Sequence, residues 1–138
     1  MARSGAGGRP ARPGGVLLLD ANTLATYTTF FARTHARETA TLVMTWVGSG
    51  DEAPRPGAIA CVRLEGFERE DGAWQRTTSL HRQRHHPAQE VRSGLAAARL
   101  RVPGVHGLAA GGRIEDHVDE GRHTKAIYVA THDDGERR

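Results

Sequence analysis

The stretch Arg12-Pro13-Gly14-Gly15-Val16-Leu17-Leu18-Leu19-Asp20-Ala21-Asn22-Thr23 decides how the rest of the chain is read. Pro13-Gly14-Gly15 is turn chemistry. Val16–Leu19 is a short, unbroken apolar run between turn signals, the pattern of a strand covered on both faces. Asp20, Asn22 and Thr23 follow at its carboxyl end, where open α/β sheets hold their ligands. The same three residues also suit a simple chain reversal. Asn22 or Thr23 caps a helix predicted to run through Phe31 or Arg33, with Leu24, Tyr27, Phe30 and Phe31 on one side. The threonines of that segment weaken the helix.

Upstream, residues 1–15 are Gly, Pro, Arg and small side chains that cannot bury a core, and they read as a disordered leader. Downstream, residues 39–47 (TATLVMTWV) read as a strand that ends at Gly48-Ser49-Gly50, followed by a Pro-rich loop. Residues 58–68 form a second strand. An acidic turn at Arg69–Gly72 leads to a third, roughly Trp74–His85, so that 39–85 is an antiparallel meander. Pro87 is preorganised for a helix N-terminus. Residues 88–100 carry Val91, Leu95 and Ala98 at helical spacing. Arg101–Leu108 contains Pro103 and belongs at a sheet edge. Residues 109–121 read as a loop, Lys125–Ala130 as the last strand, and 133–138 as a polar tail.

The chain has 138 residues, 38% of them hydrophobic and 5% aromatic, enough for one domain. No apolar run approaches the ~20 residues of a membrane span, and no signal peptide is visible, so a cytoplasmic location is the default. Cys61 is the single cysteine, which excludes an intrachain disulfide and multi-cysteine zinc sites. Of the 19 basic residues only Lys125 is lysine, and 16 acids leave a net charge of +3. The arginines are spread along the whole chain, so the sequence does not point to a nucleic-acid partner.

Neither Gly5-Ala6-Gly7-Gly8 nor Gly48-Ser49-Gly50 lies between a strand and a helix N-terminus, so neither reads as a nucleotide-cradling loop. His81, His85 and His86 fall on a predicted strand, where their spacing does not converge on a metal, and no metal is expected. Tyr27 and Trp46 fall near the pocket at Asp20.

Taken together, several segments resemble class I S-adenosylmethionine-dependent methyltransferases. Arg12–Thr23 is similar to the Pro-Gly-Gly turn, apolar fifth strand and D-x-N-T sequence of that family. Trp74–His86 resembles its aromatic and H-x-Q-R segment, Glu90–Leu100 its last helix, and Arg122–Ala130 its final strand. The resemblance implies an α/β fold, α+β as an isolated piece. It would comprise the last strands of a doubly wound, Rossmann-like sheet (residues 16–132) with an antiparallel lid at 39–85, the final strand lying antiparallel between the fifth and sixth.

The resemblance also implies methyl transfer to an acceptor of unknown identity, with S-adenosylmethionine as the family's cofactor. Asn22, Tyr27, Trp46, His81 and Arg84 would line the substrate side, and His81 or His85 would serve as general base. The family's Gly-rich cofactor loop has no counterpart here, so no cofactor-binding residue is assigned. The chain reads as the substrate-side, C-terminal half, truncated and inactive alone, binding no cofactor without a separate N-terminal half. Two alternatives remain: a non-catalytic interaction module that self-associates through the Val16–Leu19 edge, and an Arg-rich nucleic-acid binder.

Overall fold

The computed structural model describes residues 14–132 and builds them into two four-stranded antiparallel sheets. The expected leader before residue 14 and the tail after residue 132 lie outside the described residues.

The first sheet has the order β1-β8-β6-β7, formed by β1 (Val16–Asn22), β8 (Lys125–His132), β6 (Leu100–Leu108) and the two-residue β7 (Ile114–Glu115). The last strand lies between β1 and β6 and is antiparallel to both, the arrangement implied by the resemblance. Alternation in β8 turns Ala126, Tyr128 and Ala130 inward. Helix α2 (Ala88–Ala97) covers them with Leu95 and Val91, and Val102 and Val105 of β6 complete the cluster. Pro87 sits at the N-cap of α2, and Arg99, in the left-handed region at φ 58°, turns the chain into β6.

The second sheet has the order β2-β3-β4-β5: β2 (Thr34–Glu38), β3 (Leu42–Gly48), β4 (Ile59–Glu70) and β5 (Ala73–Arg84). Asp71 and Gly72, at φ 49° and 82°, make the two-residue reversal between the long strands. Asp-Gly favours this turn because both central residues need positive φ. The inner face packs Ala60 and Val62, with Trp46 and Leu64, on Tyr27 and Phe31.

Four expectations are corrected. The helix predicted from Asn22 or Thr23 to Phe31 or Arg33 is one short turn, α1 (Leu24–Thr26), followed by a π-helical turn at Tyr27–Phe31. Neither Asn22 nor Thr23 caps it through its side chain. The Thr23 hydroxyl instead donates to the His123 carbonyl, while Thr28 and Thr29 donate to carbonyls one turn back. Threonine hydroxyls compete for helical carbonyls in this way. β2 was not anticipated, because its sequence THARE has no apolar run. It adds an edge strand before the meander expected at residue 39. β6 is flanked by β8 and, at Gly107 and Leu108, by β7, so it is an edge only in part; Pro103 falls where its register shifts. Finally, β1 is not covered on both faces among the described residues. Val16 and Leu18 on one face are 61% and 67% exposed, and Leu17 and Leu19 on the other 40% and 38%.

Candidate functional site

The carboxyl ends of β1 and β5 meet the start of β8 and the first turn of α2, and between them lies a cleft of about 450 Å³. Leu19, Asp20, Ala21 and Asn22 line one wall. Gln83, Arg84 and His86 line the opposite one, with Val91 and Lys125 completing it. Its charges are balanced locally. Lys125 Nζ lies 3.3 Å from Asp20, and Arg84 lies 3.1 Å from Glu90. His86 Nδ1 is 3.2 Å from the same Glu90. The amides of Asn22 and Gln83 add neutral donors and acceptors.

Asn22 and Arg84, both expected on the substrate side, therefore meet in this cleft. His81 does not line it. It is exposed on the inner-facing side of β5, opposite Val62 and two residues before Gln83, with its Nε2 3.1 Å from the Ser79 hydroxyl. Tyr27 is 1% exposed and belongs to the core under the second sheet, where burial pushes its phenol pKa up. Trp46 is half-buried against the same cluster.

His85 is also buried, at 2% exposure. Gly57 N–H donates to its Nδ1 at 3.1 Å, so its Nε2 carries the proton and donates to Glu120 Oε2, also at 3.1 Å. That carboxylate accepts in addition from the Leu24 N–H at 2.9 Å. Both ring nitrogens of His85 are thus engaged, and its ring meets Tyr27 edge-on at 5.7 Å. Proton transfer through His85 would require release of one of these bonds.

A further group of ligand-type residues escaped the sequence reading, because its members lie in the segment read as a loop. The ligand atoms of Glu115, His117 and His123 lie within 4.8 Å of one another. The chemistry of the set is that of an ion-pair knot. His123 is fully buried; its Nδ1 accepts from Asp119 N–H at 2.8 Å, and its Nε2 donates to Glu115 at 3.2 Å. Arg122 and Arg113 both donate to the same carboxylate, and with His123 they hold its pKa far below the ordinary range. A carboxylate satisfied by two guanidiniums and an imidazole N–H has little left to offer a cation. The E-x-H spacing of residues 115–117 was the signal available in the sequence.

Among the described residues, no helix is long and apolar enough to cross a membrane. No protein-family model matches the chain, and no curated protein matches it. Among solved structures, it is similar to an S-adenosylmethionine-dependent methyltransferase from Clostridium acetobutylicum ATCC 824, with a TM-score of 0.64 at 13% sequence identity. The match covers 88% of this chain and 46% of that one, so the chain spans about half the length of the protein it resembles, and what the two share is a fold.

Proposed function

We propose that this chain forms the substrate-facing part of an S-adenosylmethionine-dependent methyltransferase domain, and that the part holding the methyl donor lies outside these 138 residues. The observation that carries this reading is the state of β1. The strand pairs with β8 along one edge, and its other edge is unpaired among the described residues. Its four apolar side chains are exposed on both faces. A strand with this composition belongs in the interior of a larger sheet. The fold likeness, which takes in 46% of a methyltransferase, agrees with a missing neighbour.

The Gly48–Gly50 segment does not form a loop that would cradle the donor. Gly48 and Gly50 are set against the Phe31 backbone, whose carbonyl accepts from Gly50 N–H at 2.8 Å, and no helix N-terminus follows them. The contribution assigned to this chain is therefore acceptor binding. Asn22 and Gln83 hydrogen-bond a polar acceptor in the cleft, Arg84 orients it, and the lid sheet excludes water. Because each cation lining the cleft has a carboxylate beside it, an uncharged or zwitterionic acceptor suits it better than a strong anion. His81 stands outside the cleft, so no proton-transfer step with an acceptor bound there is assigned to it. Tyr27 supports the lid from below, against Trp46 of the lid's own β3.

Calorimetry with S-adenosylmethionine tests the reading. The isolated chain should give no binding heat. Reconstitution with the product of the reading frame upstream of Met1 should restore it. Tight binding of the donor by the isolated chain would overturn the proposal.

The bare edge of β1 also favours a second reading, a non-catalytic module that self-associates through Val16–Leu19. In that case sedimentation would show a dimer that Leu18→Glu dissociates, and no upstream product would restore donor binding.

A further inference from the structure

The antiparallel register of the second sheet sorts its side chains in a way that sequence spacing conceals. β4 and β5 pair Ile59 with Arg84, Cys61 with Arg82, Arg63 with Leu80, Glu65 with Thr78, Phe67 with Arg76 and Arg69 with Trp74. Paired residues share a face. Val62, Ala60 and Leu64 occupy the face that packs on Tyr27 and Phe31, so these six pairs have the outward parity. Four arginines, Arg63, Arg69, Arg76 and Arg82, thus lie on one exposed face with Phe67 and Trp74, whereas Arg84, at the end of β5, turns to Glu90 and the cleft. The carboxylates on that face are Glu65 and, through β3, Glu38 of β2. Glu68 and Glu70 have the opposite parity and fall on the inner side.

The local chemistry is specific. Glu65 is buried beneath Arg63 and Arg76; Arg76 donates to it twice, at 2.9 and 2.7 Å, and stacks its guanidinium 5.8 Å from the Phe67 ring centroid. One carboxylate therefore holds two guanidiniums in place and leaves one positive charge over. Arg69 and Arg82 are exposed and have no ion-pair partner among the described residues. Trp74 is 49% exposed and Leu80 70%. Charges along an edge strand protect against sheet-to-sheet pairing, which would explain arginines on β5. Arg63 and Arg69 lie on β4, an interior strand, where that purpose does not apply.

We propose that this outward face binds single-stranded nucleic acid. Guanidiniums beside an exposed aromatic ring, here Trp74, on an open sheet are the combination that takes phosphates and stacks unpaired bases. An acidic protein surface would use the arginines and leave the rings idle, and a lipid headgroup layer, which also takes tryptophan rings, is separated from nucleic acid by the vesicle arm of the test below. The β4–β5 hairpin is ~40 Å long, room for several nucleotides. The face lies on the opposite side of the lid from the cleft, so the inference does not depend on the reading of that site.

The full chain contains two tryptophans. Trp46 faces the core and Trp74 the proposed surface, so intrinsic fluorescence reports stacking directly. Titration with short oligouridine or oligothymidine should quench it saturably, with affinity falling between about 50 and 200 mM salt. Trp74→Ala should weaken binding about tenfold, while Trp74→Phe, which keeps a ring, retains most of it. Arg69→Ser with Arg82→Ser should lower the salt slope by about 0.7 per arginine removed. Arg92→Ser with Arg99→Ser, the same charge change off the sheet, should leave affinity unchanged. Absence of saturable binding at low salt overturns the proposal. So does binding that Trp74→Ala leaves intact, or equal affinity for phosphatidylserine vesicles or polyglutamate.

Discussion

The imidazole of His85 and the carboxylate of Glu120, 35 residues apart in the chain, meet at 3.1 Å and join the two sheets. His85 follows β5 of the second sheet, and Glu120 precedes β8 of the first. Through Gly57 N–H on the far side of the ring and Leu24 N–H on the carboxylate, the pair also gathers the Pro-rich loop and α1. The placement of the second sheet beside the first rests on this contact together with the Tyr27–Phe31 cluster.

Replacing His85 by Phe keeps a ring against Tyr27 but leaves the Gly57 N–H without its acceptor and Glu120 without its imidazole. An unmet buried polar group costs about 1–3 kcal/mol, and the variant should lose about that much stability in urea unfolding. A double-mutant cycle with Glu120→Gln should show a coupling of about 0.5–3 kcal/mol. Strict additivity would mean that the two side chains do not support each other.

Acid should undo the Glu115 knot. Arg122, then Arg113 and His123, depress the pKa of Glu115, and Arg76, followed by Thr78, lowers that of Glu65. Carboxylates depressed in the folded state contribute stability that is fully present above their unfolded pKa, about 4.3, and is lost as pH falls through the folded value. The stability gap between the wild type and Glu115→Gln should therefore be widest near neutrality. It should narrow steadily below about pH 4.5. Thermal unfolding followed by circular dichroism measures it; a gap unchanged at about pH 2.5 would contradict the assignment.

At the alkaline end the sign reverses. Burial raises the phenol pKa of Tyr27 and, with a contribution from the Glu120 charge, that of Tyr128 above the ordinary value of 10.0. A raised tyrosine pKa gives stability that is present below the unfolded value and lost as pH rises through the folded one. These are the only tyrosines in the chain. Their ultraviolet titration should begin late and coincide with loss of the far-ultraviolet signal. Normal ionisation of either phenol in a still-folded protein would disprove its burial.

Two glycines should respond to alanine in opposite directions. A Cβ at Gly107 would overlap the His123 ring and the His117 carbonyl. Overpacking of this kind costs about 1–3 kcal/mol. Gly94, in the middle of α2, has nothing within 4 Å of the added carbon. Gly94→Ala should stabilise the protein by about 0.5–1 kcal/mol through helix propensity. Urea midpoints of the two variants should move apart, and parallel shifts would refute the packing at Gly107.

Local patterning made much of the chain legible. The apolar run of β1, the periodicity of α2 and the Asp-Gly reversal between β4 and β5 each carry their conformation in adjacent residues. The resemblance of Arg12–Thr23 and Arg122–Ala130 to methyltransferase strands placed β8 between β1 and β6. THARE was opaque as a strand because β2 is held by pairing with β3 and not by a pattern of its own. The threonines that end α1 act through hydroxyl contacts with carbonyls, which composition alone cannot orient.

Of the expected substrate-side residues, sequence neighbourhood singled out Asn22 and Arg84, and only the packing of two sheets brought them into one cleft. The same packing buried His85, sank Tyr27 into the core and left His81 exposed on the inner face of the second sheet. Beyond the E-x-H spacing at residues 115–117, the Glu115 knot was hidden because its arginines and His123 meet by loop closure. The four outward arginines looked evenly scattered because their common face depends on strand register, a long-range property. What is local in the chain, hydrophobic period and turn chemistry, the sequence determined by itself; which distant charges became neighbours was decided by tertiary pairing, because Coulomb and hydrogen-bond partners are chosen by distance in space.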